Sequence, residues 1–291
     1  MILKYEIIDN QYSTLRQVLK NKWHISSRLL VKLKKENAIF VNDKNVYIDY
    51  PLNIDDTIIV NIDFKEKSEN IVETPMELNI IYEDEYYIVI NKPANMPVHP
   101  SNLHYNDSLA NGLQYYYNRN NIQTKIRPVN RLDKDTSGVV IFAKNEYIQE
   151  SLITQMKTKT FEKTYIALLE GNLETTSGTI NAPIARKENS IIERCIDSNG
   201  DIAITHYKLI ENKENCCVVE FKLETGRTHQ IRVHSKYIGH PILGDTLYGS
   251  ASNKIDRQAL HSYKVKFLHP ILEQDVEYMA TIPEDMYKYL S

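Results

Sequence analysis

Between Arg127 and Gly138 the chain runs Arg127-Pro128-Val129-Asn130-Arg131-Leu132-Asp133-Lys134-Asp135-Thr136-Ser137-Gly138, directly ahead of the apolar run Val139-Val140-Ile141-Phe142-Ala143. A turn this rich in charge, feeding into a strand that has to be buried, is unfavourable unless its polar groups have partners or a task. Three chemistries fit the residue types. Asp133, Asp135 and Ser137 alternate ahead of Gly138 as at the opening of an EF-hand, but the twelfth loop position, which needs a bidentate Glu, is Lys144. A cation at a ligand position excludes the calcium site. Alternatively, Asp133 or Asp135 caps backbone N–H groups in an ordinary surface turn. The third is catalysis, with Asp133 as nucleophile or base and Arg131, two residues earlier, on the same side of an extended segment.

Other segments carry the decision. They are Asn91-Lys92-Pro93-Ala94-Asn95-Met96-Pro97-Val98-His99-Pro100, Glu162-Lys163-Thr164-Tyr165 and Leu223-Glu224-Thr225-Gly226-Arg227-Thr228-His229-Gln230-Ile231-Arg232. Further on come His240-Pro241-Ile242-Leu243-Gly244-Asp245 with Tyr248-Gly249, and Ala259-Leu260-His261 through His269-Pro270. Together with Arg131-Leu132-Asp133-x-Asp135-Thr136-Ser137-Gly138, this series resembles, in order, the motifs of the RluA/RluD-type RNA pseudouridine synthases over residues 75 to 285. Two positions depart from that family: Asn130 stands where His is more usual, and Asn95 where Gly is. Asn donates and accepts hydrogen bonds much as His does, and it tolerates a left-handed backbone better than other non-glycine residues.

The resemblance implies a fold, an activity and roles. The reaction cuts the uracil N1 to ribose C1′ bond, turns the base and rejoins it through C5. Asp133 would be the catalytic carboxylate, either attacking C1′ or removing the C2′ proton. Arg227 would pair with it, a permanent cation whose fork grips a carboxylate. Tyr165 would stack on the flipped uracil with its hydroxyl near C5. Arg131 would hold RNA, Leu223 would form an apolar wall under the base, and Lys163 would contact the substrate backbone. His99, His229 and His261 fall to scaffold or RNA contact. An isomerisation needs no cofactor and no metal, in keeping with the lack of a convincing phosphate loop, and His229 and His234 lack the spacing and Glu of a zincin pair.

Those residues need elements to position them. Strand-like segments run over Ile80–Tyr82, Tyr87–Ile90, Gly138–Ala143, Tyr165–Leu169 and Cys217–Leu223. An amphipathic helix is expected over Asn145–Lys157, with Ile148, Leu152 and Met156 as its stripe. Another is expected from Thr228 as N-cap to Gly239, with Pro241 beyond. Helices scattered among many strands indicate α+β, and the family resemblance implies a mixed, largely antiparallel sheet with a central cleft. Ahead of it, Leu15, Val18 and Leu19 recur at helical spacing behind Ser13 or Thr14, and Leu29, Leu30 and Leu33 follow Ser26 or Ser27. Ile39-Phe40-Val41 and Val46-Tyr47-Ile48 flank a turn, and Ile58-Ile59-Val60 adds a strand. This block resembles an S4-like RNA-binding module. The expected division is an S4-like domain over 1–63, a charged linker over 64–77 and a catalytic domain over 78–291.

Charge distribution agrees with an RNA partner. The chain of 291 residues has a net charge of −3, yet residues 13 to 46 carry eight Lys or Arg against only Glu36 and Asp43. A compact basic block on an otherwise acidic chain is the electrostatic footprint of a nucleic-acid contact, a solvated helix face being the alternative. Arg16, Arg28, Lys32 and Lys35 are its expected RNA ligands, the last three on one helix face. No apolar run reaches the roughly 20 residues of a membrane span, Met1-Ile2-Leu3-Lys4-Tyr5-Glu6 does not read as a secretory signal, and three cysteines make no disulfide framework. These features lead to the expectation of a cytoplasmic monomer acting on structured RNA, large-subunit ribosomal RNA ahead of tRNA. A catalytically silent RNA-binding or ribosome-assembly protein is the rival, disfavoured because binding alone does not require Asp133, Tyr165 and Arg227 together.

Overall fold

The computed structural model describes residues 1–66, 68, 70–252 and 254–290; Lys67 and Glu69, within the expected linker, lie outside the described residues. The N-terminal part is a four-stranded antiparallel sheet in the order β1-β4-β2-β3, from β1 (Ile2–Glu6), β2 (Ile39–Val41), β3 (Lys44–Asn45) and β4 (Thr57–Asn61). It carries α1 (Leu15–Gln17), which continues into a π-helical turn Val18–Lys22, and α2 (Ser27–Lys35). Thr14 caps α1 in a reciprocal box with Gln17, and the Ser26 hydroxyl accepts from the Leu29 amide to start α2.

The rest builds one ten-stranded sheet. Its strands are β5 (Ile80–Glu83), β6 (Tyr87–Lys92), β7 (Arg127–Pro128), β8 (Ser137–Ala143), β9 (Glu162–Glu170), β10 (Ser177–Asn181), β13 (Ile204–Asn212), β14 (Cys216–Leu223), β15 (Leu260–Leu268) and β16 (Asp275–Met279). The path is β10-β13-β14-β9-β15-β8-β6-β5, with β16 on β15 and β7 on β8. β11 (Ile184–Arg186) and β12 (Arg194–Ile196) form a separate ribbon. Helices α3 (Leu109–Arg119), α4 (Glu146–Lys157), α5 (Gln230–Tyr237) and α6 (Glu284–Tyr287) complete the chain. The fold is α+β, and among the described residues the strand pairings are antiparallel apart from β8 with β15.

β8 shows why its sequence is apolar without alternation. Val139, Ile141 and Ala143 face a core that includes Tyr147, Ile148 and Leu152 of α4, while Val140 and Phe142 face Leu109, Leu113 and Tyr117 of α3. A strand covered on both faces reads as a continuous apolar run. The parallel contact with β15 is brief, pairing Ser137 with His261 and Gly138 with Ser262. There Gly138 has φ +114°, and a Cβ on it would collide with the Ser262 carbonyl. Only glycine meets both demands.

The core on the α4 side also contains Leu15, Leu19, Leu29 and Leu33, so the N-terminal module and the large sheet share apolar packing across α4. This junction recruits part of the basic face of α2. Lys32 bonds Glu66 at 2.7 Å, lies 3.8 Å from Glu146 and sits 4.1 Å over the Phe64 ring. Arg28 reaches Glu146 at 3.4 Å while its side chain stays 88% exposed, and Ser26 donates to Glu150 at 2.7 Å. Arg16 forks onto Asp49 at 2.8 and 3.0 Å. The expectation of one free basic face is corrected accordingly: Lys32 is drawn inward by two carboxylates, whereas Lys35 remains exposed. The expected linker is likewise tied down, since Glu66 also pairs with Arg127 and Ser68 accepts from the Ile126 amide.

Burial disfavours the Glu66 charge, but hydrogen bonding to Lys32 and the charge of Arg127 outweigh it and hold the carboxyl below its ordinary 4.5. A carboxyl depressed in the folded state stabilises above its unfolded pKa, and that contribution is lost as pH falls through the folded value. The denaturant midpoint of the wild type should therefore drop between about pH 5 and pH 3 by more than that of Glu66→Gln. Parallel drops in the two proteins would remove Glu66 from the acid response.

Candidate active site

Asp133 lies in the loop between β7 and β8, whose backbone and buried polar side chains are held by specific partners. Asn130 imitates a strand residue against β8, donating to the Val139 carbonyl at 2.9 Å and accepting from the Ile141 amide at 2.9 Å. Leu132 is buried, and the Thr136 amide closes a turn onto the Asp133 carbonyl at 3.1 Å. Ser137 bonds His261 Nδ1 at 2.9 Å, and the other ring nitrogen of His261 faces the Ala280 carbonyl at 3.4 Å. Burial pushes this imidazole down to about 4 despite that carbonyl. A neutral His261 donates to Ala280 and accepts from Ser137, which makes it scaffold.

Two cations fix the loop from behind. Lys92 is fully buried and donates to the carbonyls of Pro93, Met96 and Lys134 at 2.8, 2.7 and 2.9 Å. Burial pushes its ammonium down to about 7, opposed by the Asp135 and Asp133 charges and reinforced by Arg257. Three carbonyls use all three N–H bonds of an ammonium, where a neutral amine has two, so the cradle is built for the charged form. Asn95, in the loop that Lys92 closes, has φ +59°, the left-handed backbone for which Asn is suited. On the other side Arg257 forks onto Asp285 of α6 at 2.7 and 2.9 Å and donates to the Asp135 carbonyl at 3.1 Å.

The guanidinium opposite Asp133 belongs to Arg232, in the first turns of α5, which reaches Oδ2 at 3.2 Å. Arg232 is held in turn by a two-point contact with Asp245 at 2.7 and 2.8 Å, and the Asp245 side chain is wholly buried. Burial works against the Arg232 charge, but bonding to Asp245 and then the Asp133 charge raise its pKa further. The expected partner, Arg227, points elsewhere: its Nε donates to the Ile202 carbonyl at 3.0 Å and it lies 3.7 Å from Asp201. The physical reason is what each guanidinium meets: Arg227, ahead of the helix, is held by the Asp201–Ile202 segment, whereas Arg232, inside the first turn of α5, is aimed by Asp245. The N-cap of α5 is His229 rather than Thr228, in a left-handed conformation with φ 59° and ψ 20°.

The other expected residues distribute as follows. Tyr165, on β9, is buried, and burial pushes its phenol up to about 12 with the Asp133 charge acting in the same direction. Leu223 and Lys163 lie with it at the ends of β14 and β9; burial lowers the Lys163 ammonium, whose Nζ lies against Gly226. Arg131 is exposed at the mouth, close enough to His99 to add to the lowering that burial imposes on that imidazole. His229 Nε2 is 3.8 Å from Asp133 Oδ2. The structure thus gathers Asp133, Tyr165 and Arg232, leaving Arg227 to one side. Arg232 and Asp245 stood inside the motifs read from the sequence, but only their mutual bond, across 13 positions, marks them out.

Comparison with known proteins identifies the family. The pattern of the RNA pseudouridylate synthase family matches residues 86–237. A Bacillus subtilis (strain 168) protein, described as the uncharacterized RNA pseudouridine synthase YhcT, is 39% identical over 287 residues, covering 98% of this chain and 94% of its own. The ribosomal large subunit pseudouridine synthase D of Buchnera aphidicola subsp. Schizaphis graminum is 35% identical over 294 residues, covering 95% and 88%. Among solved structures, human RNA pseudouridylate synthase domain containing 1 superposes with a TM-score of 0.59 at 28% identity, over 70% of this chain and 83% of that one. The carboxylate–guanidinium pair beside a buried tyrosine, the sheet around it and these similarities lead to one conclusion: the chain belongs to the RNA pseudouridine synthase family and is an enzyme that isomerises uridine in RNA.

Proposed function

We propose that the enzyme modifies large-subunit ribosomal RNA through Asp133, with Arg232 in the role that the sequence suggested for Arg227. The observation that carries the mechanism is the division of labour on the carboxylate. Arg232 holds Oδ2, and among the described residues Oδ1 accepts no hydrogen bond. A carboxylate anchored through one oxygen presents the other to the substrate. A uridine flipped from its stack, at a cost of a few kcal/mol, brings its ribose to Oδ1. Oδ1 either attacks C1′, forming an ester as the N1–C1′ bond breaks, or takes the C2′ proton to leave a glycal. In both routes uracil departs as an anion, turns and bonds to C1′ through C5; this displaces the Asp133 oxygen in the ester route, and in the glycal route Asp133 returns its proton to C2′. C5 then loses its proton and N1 gains one.

Tyr165 supports the reaction as a ring against the flipped uracil and as a hydroxyl donor. A phenol pushed up to about 12 keeps its proton at neutral pH, so its own state does not favour it as the base at C5. Leu223 lines the same floor, while Arg131, Lys163 and the exposed Arg227 take RNA phosphates. The N-terminal 63 residues serve as an S4-like module, with 64–77 as a docked connection and 78–291 as the catalytic domain. Arg16, Arg28 and Lys35 supply the module's outward charge, and Lys32 divides its charge with the junction. Ribosomal RNA is favoured over tRNA by the name of the Buchnera relative. Asp133, Arg232 and Tyr165 come from one chain, so the proposal needs no second copy; a cytoplasmic monomer fits it.

Asp133→Asn should abolish pseudouridine formation while leaving RNA affinity nearly unchanged; turnover within about tenfold of wild type would remove Asp133 from the mechanism. A transcriptome-wide pseudouridine map of cells carrying that variant should lose one or a few ribosomal uridines. Loss confined to tRNA would overturn the substrate, and no loss with RNA still bound would favour a silent binder. Arg232→Ala leaves buried Asp245 unpaired and should destabilise the fold by about 3–5 kcal/mol, whereas Arg227→Ala should stay within about 0.5 kcal/mol by denaturant titration. The Arg28→Ala/Lys35→Ala pair should weaken RNA binding and reduce its salt slope by about 1–2, and an unchanged slope would make that surface merely solvated.

A further inference from the structure

We propose that His229 is a positioning residue for Asp133, held as the neutral tautomer with its proton on Nε2 by a relay from the Arg194 amide through Tyr248. This rests on the reading of Asp133 as the reactive carboxylate. The relay follows from counting protons. The Tyr248 hydroxyl oxygen accepts the Arg194 amide at 2.8 Å and lies 2.8 Å from His229 Nδ1. Tyr248 is 4% exposed, so its own O–H needs an acceptor inside the protein, and Nδ1 supplies it. The imidazole proton then sits on Nε2, the nitrogen that faces Asp133 Oδ2 at 3.8 Å.

Backbone strain points to the same residue. His229 is a non-glycine residue at φ 59°, a conformation that costs about 1–3 kcal/mol and persists only where its surroundings enforce it. Tyr248 does so twice, through the hydrogen bond and through an edge-on ring contact with centroids 5.6 Å apart. The side chain is 11% exposed, which leaves little surface for RNA. The charges around it are Asp133, Arg232, Arg194 and Asp245; burial first, then the two arginines, hold the imidazole below its ordinary pKa against the two carboxylates. A neutral donor on Oδ2 adds hold without adding a second full charge to that of Arg232. The gap is within about an ångström of a hydrogen bond, and catalytic bonds commonly tighten when substrate excludes water.

Nitrogen-15 NMR of the histidine-labelled whole protein, with His229 assigned by loss of its signal in His229→Asn, should show a protonated Nε2 and a bare Nδ1 at neutral pH. Tyr248→Phe should convert that signal to a mixture of tautomers. His229→Gly, which relieves the strain and removes only the ring, should lower the single-turnover rate at saturating RNA by roughly tenfold or more, with the RNA Kd within about threefold of wild type. A wild-type proton on Nδ1, or a rate at saturation unchanged in His229→Gly, would overturn the assignment. The Asp133 reading fails separately: active Asp133→Asn would sink it while leaving the tautomer measurement as it stands.

Discussion

The buried contact between Arg232 and Asp245 is the constraint on which the site depends. Asp245 is removed from water, so its charge needs full compensation, and it receives it from the Arg232 fork and from the amides of Leu247 and Tyr248. Taking both ions out of water is costly, and such a pair is tolerated when the remaining lone pairs and protons are satisfied. One carboxylate therefore does two things at once. It aims the guanidinium at Asp133, and through its amide contacts it fixes the turn that carries Tyr248 to His229. Gly244 makes the turn feasible, since its φ is +76° and a Cβ would run into the Arg257 carbonyl.

Around this node the Asp133 loop is clamped rather than merely placed. Lys92 and Arg257 spend their hydrogen bonds largely on main-chain carbonyls, so the loop is held by its backbone and its side chains stay available. Gly138 lets β8 come against β15 at the point where the loop becomes strand. The proposed role of Asp133 calls for this rigidity, because a displacement of about 1 Å can cost 100-fold in rate.

Much of this was legible in the sequence, and what was hidden has physical causes. The Asp133 loop announced itself because charge next to an apolar run demands an explanation. β8 and α4 fell close to where periodicity put them, with Asn145 capping α4. The choice of Arg227 over Arg232 came from the resemblance alone, because which of two arginines in one motif reaches Asp133 is settled by long-range contacts with Asp133 and Asp245 that local sequence does not show. Helix α3 escaped notice because its 11 residues include Asn111, Gly112 and three consecutive tyrosines, and its capping partner is Asn rather than Glu. The docking of Lys32 against Glu66 and Glu146 was invisible for another reason: helical spacing shows which side chains share a face, not what lies opposite.

Asp133 and Arg232 stand 99 residues apart in the chain, and Ser137 and His261 stand 124 apart. A polypeptide made from its N-terminus therefore exposes Asp133 well before Arg232 and Asp245 have been synthesised. At roughly 5–20 residues per second the delay is on the order of ten seconds, during which the nascent chain carries its basic segment and Asp133 without the pair that completes the site. Competence then arrives late and all together, with the last third of the chain. Truncated products of translation would carry Asp133 without Arg232 and Asp245, and so without the assembled site.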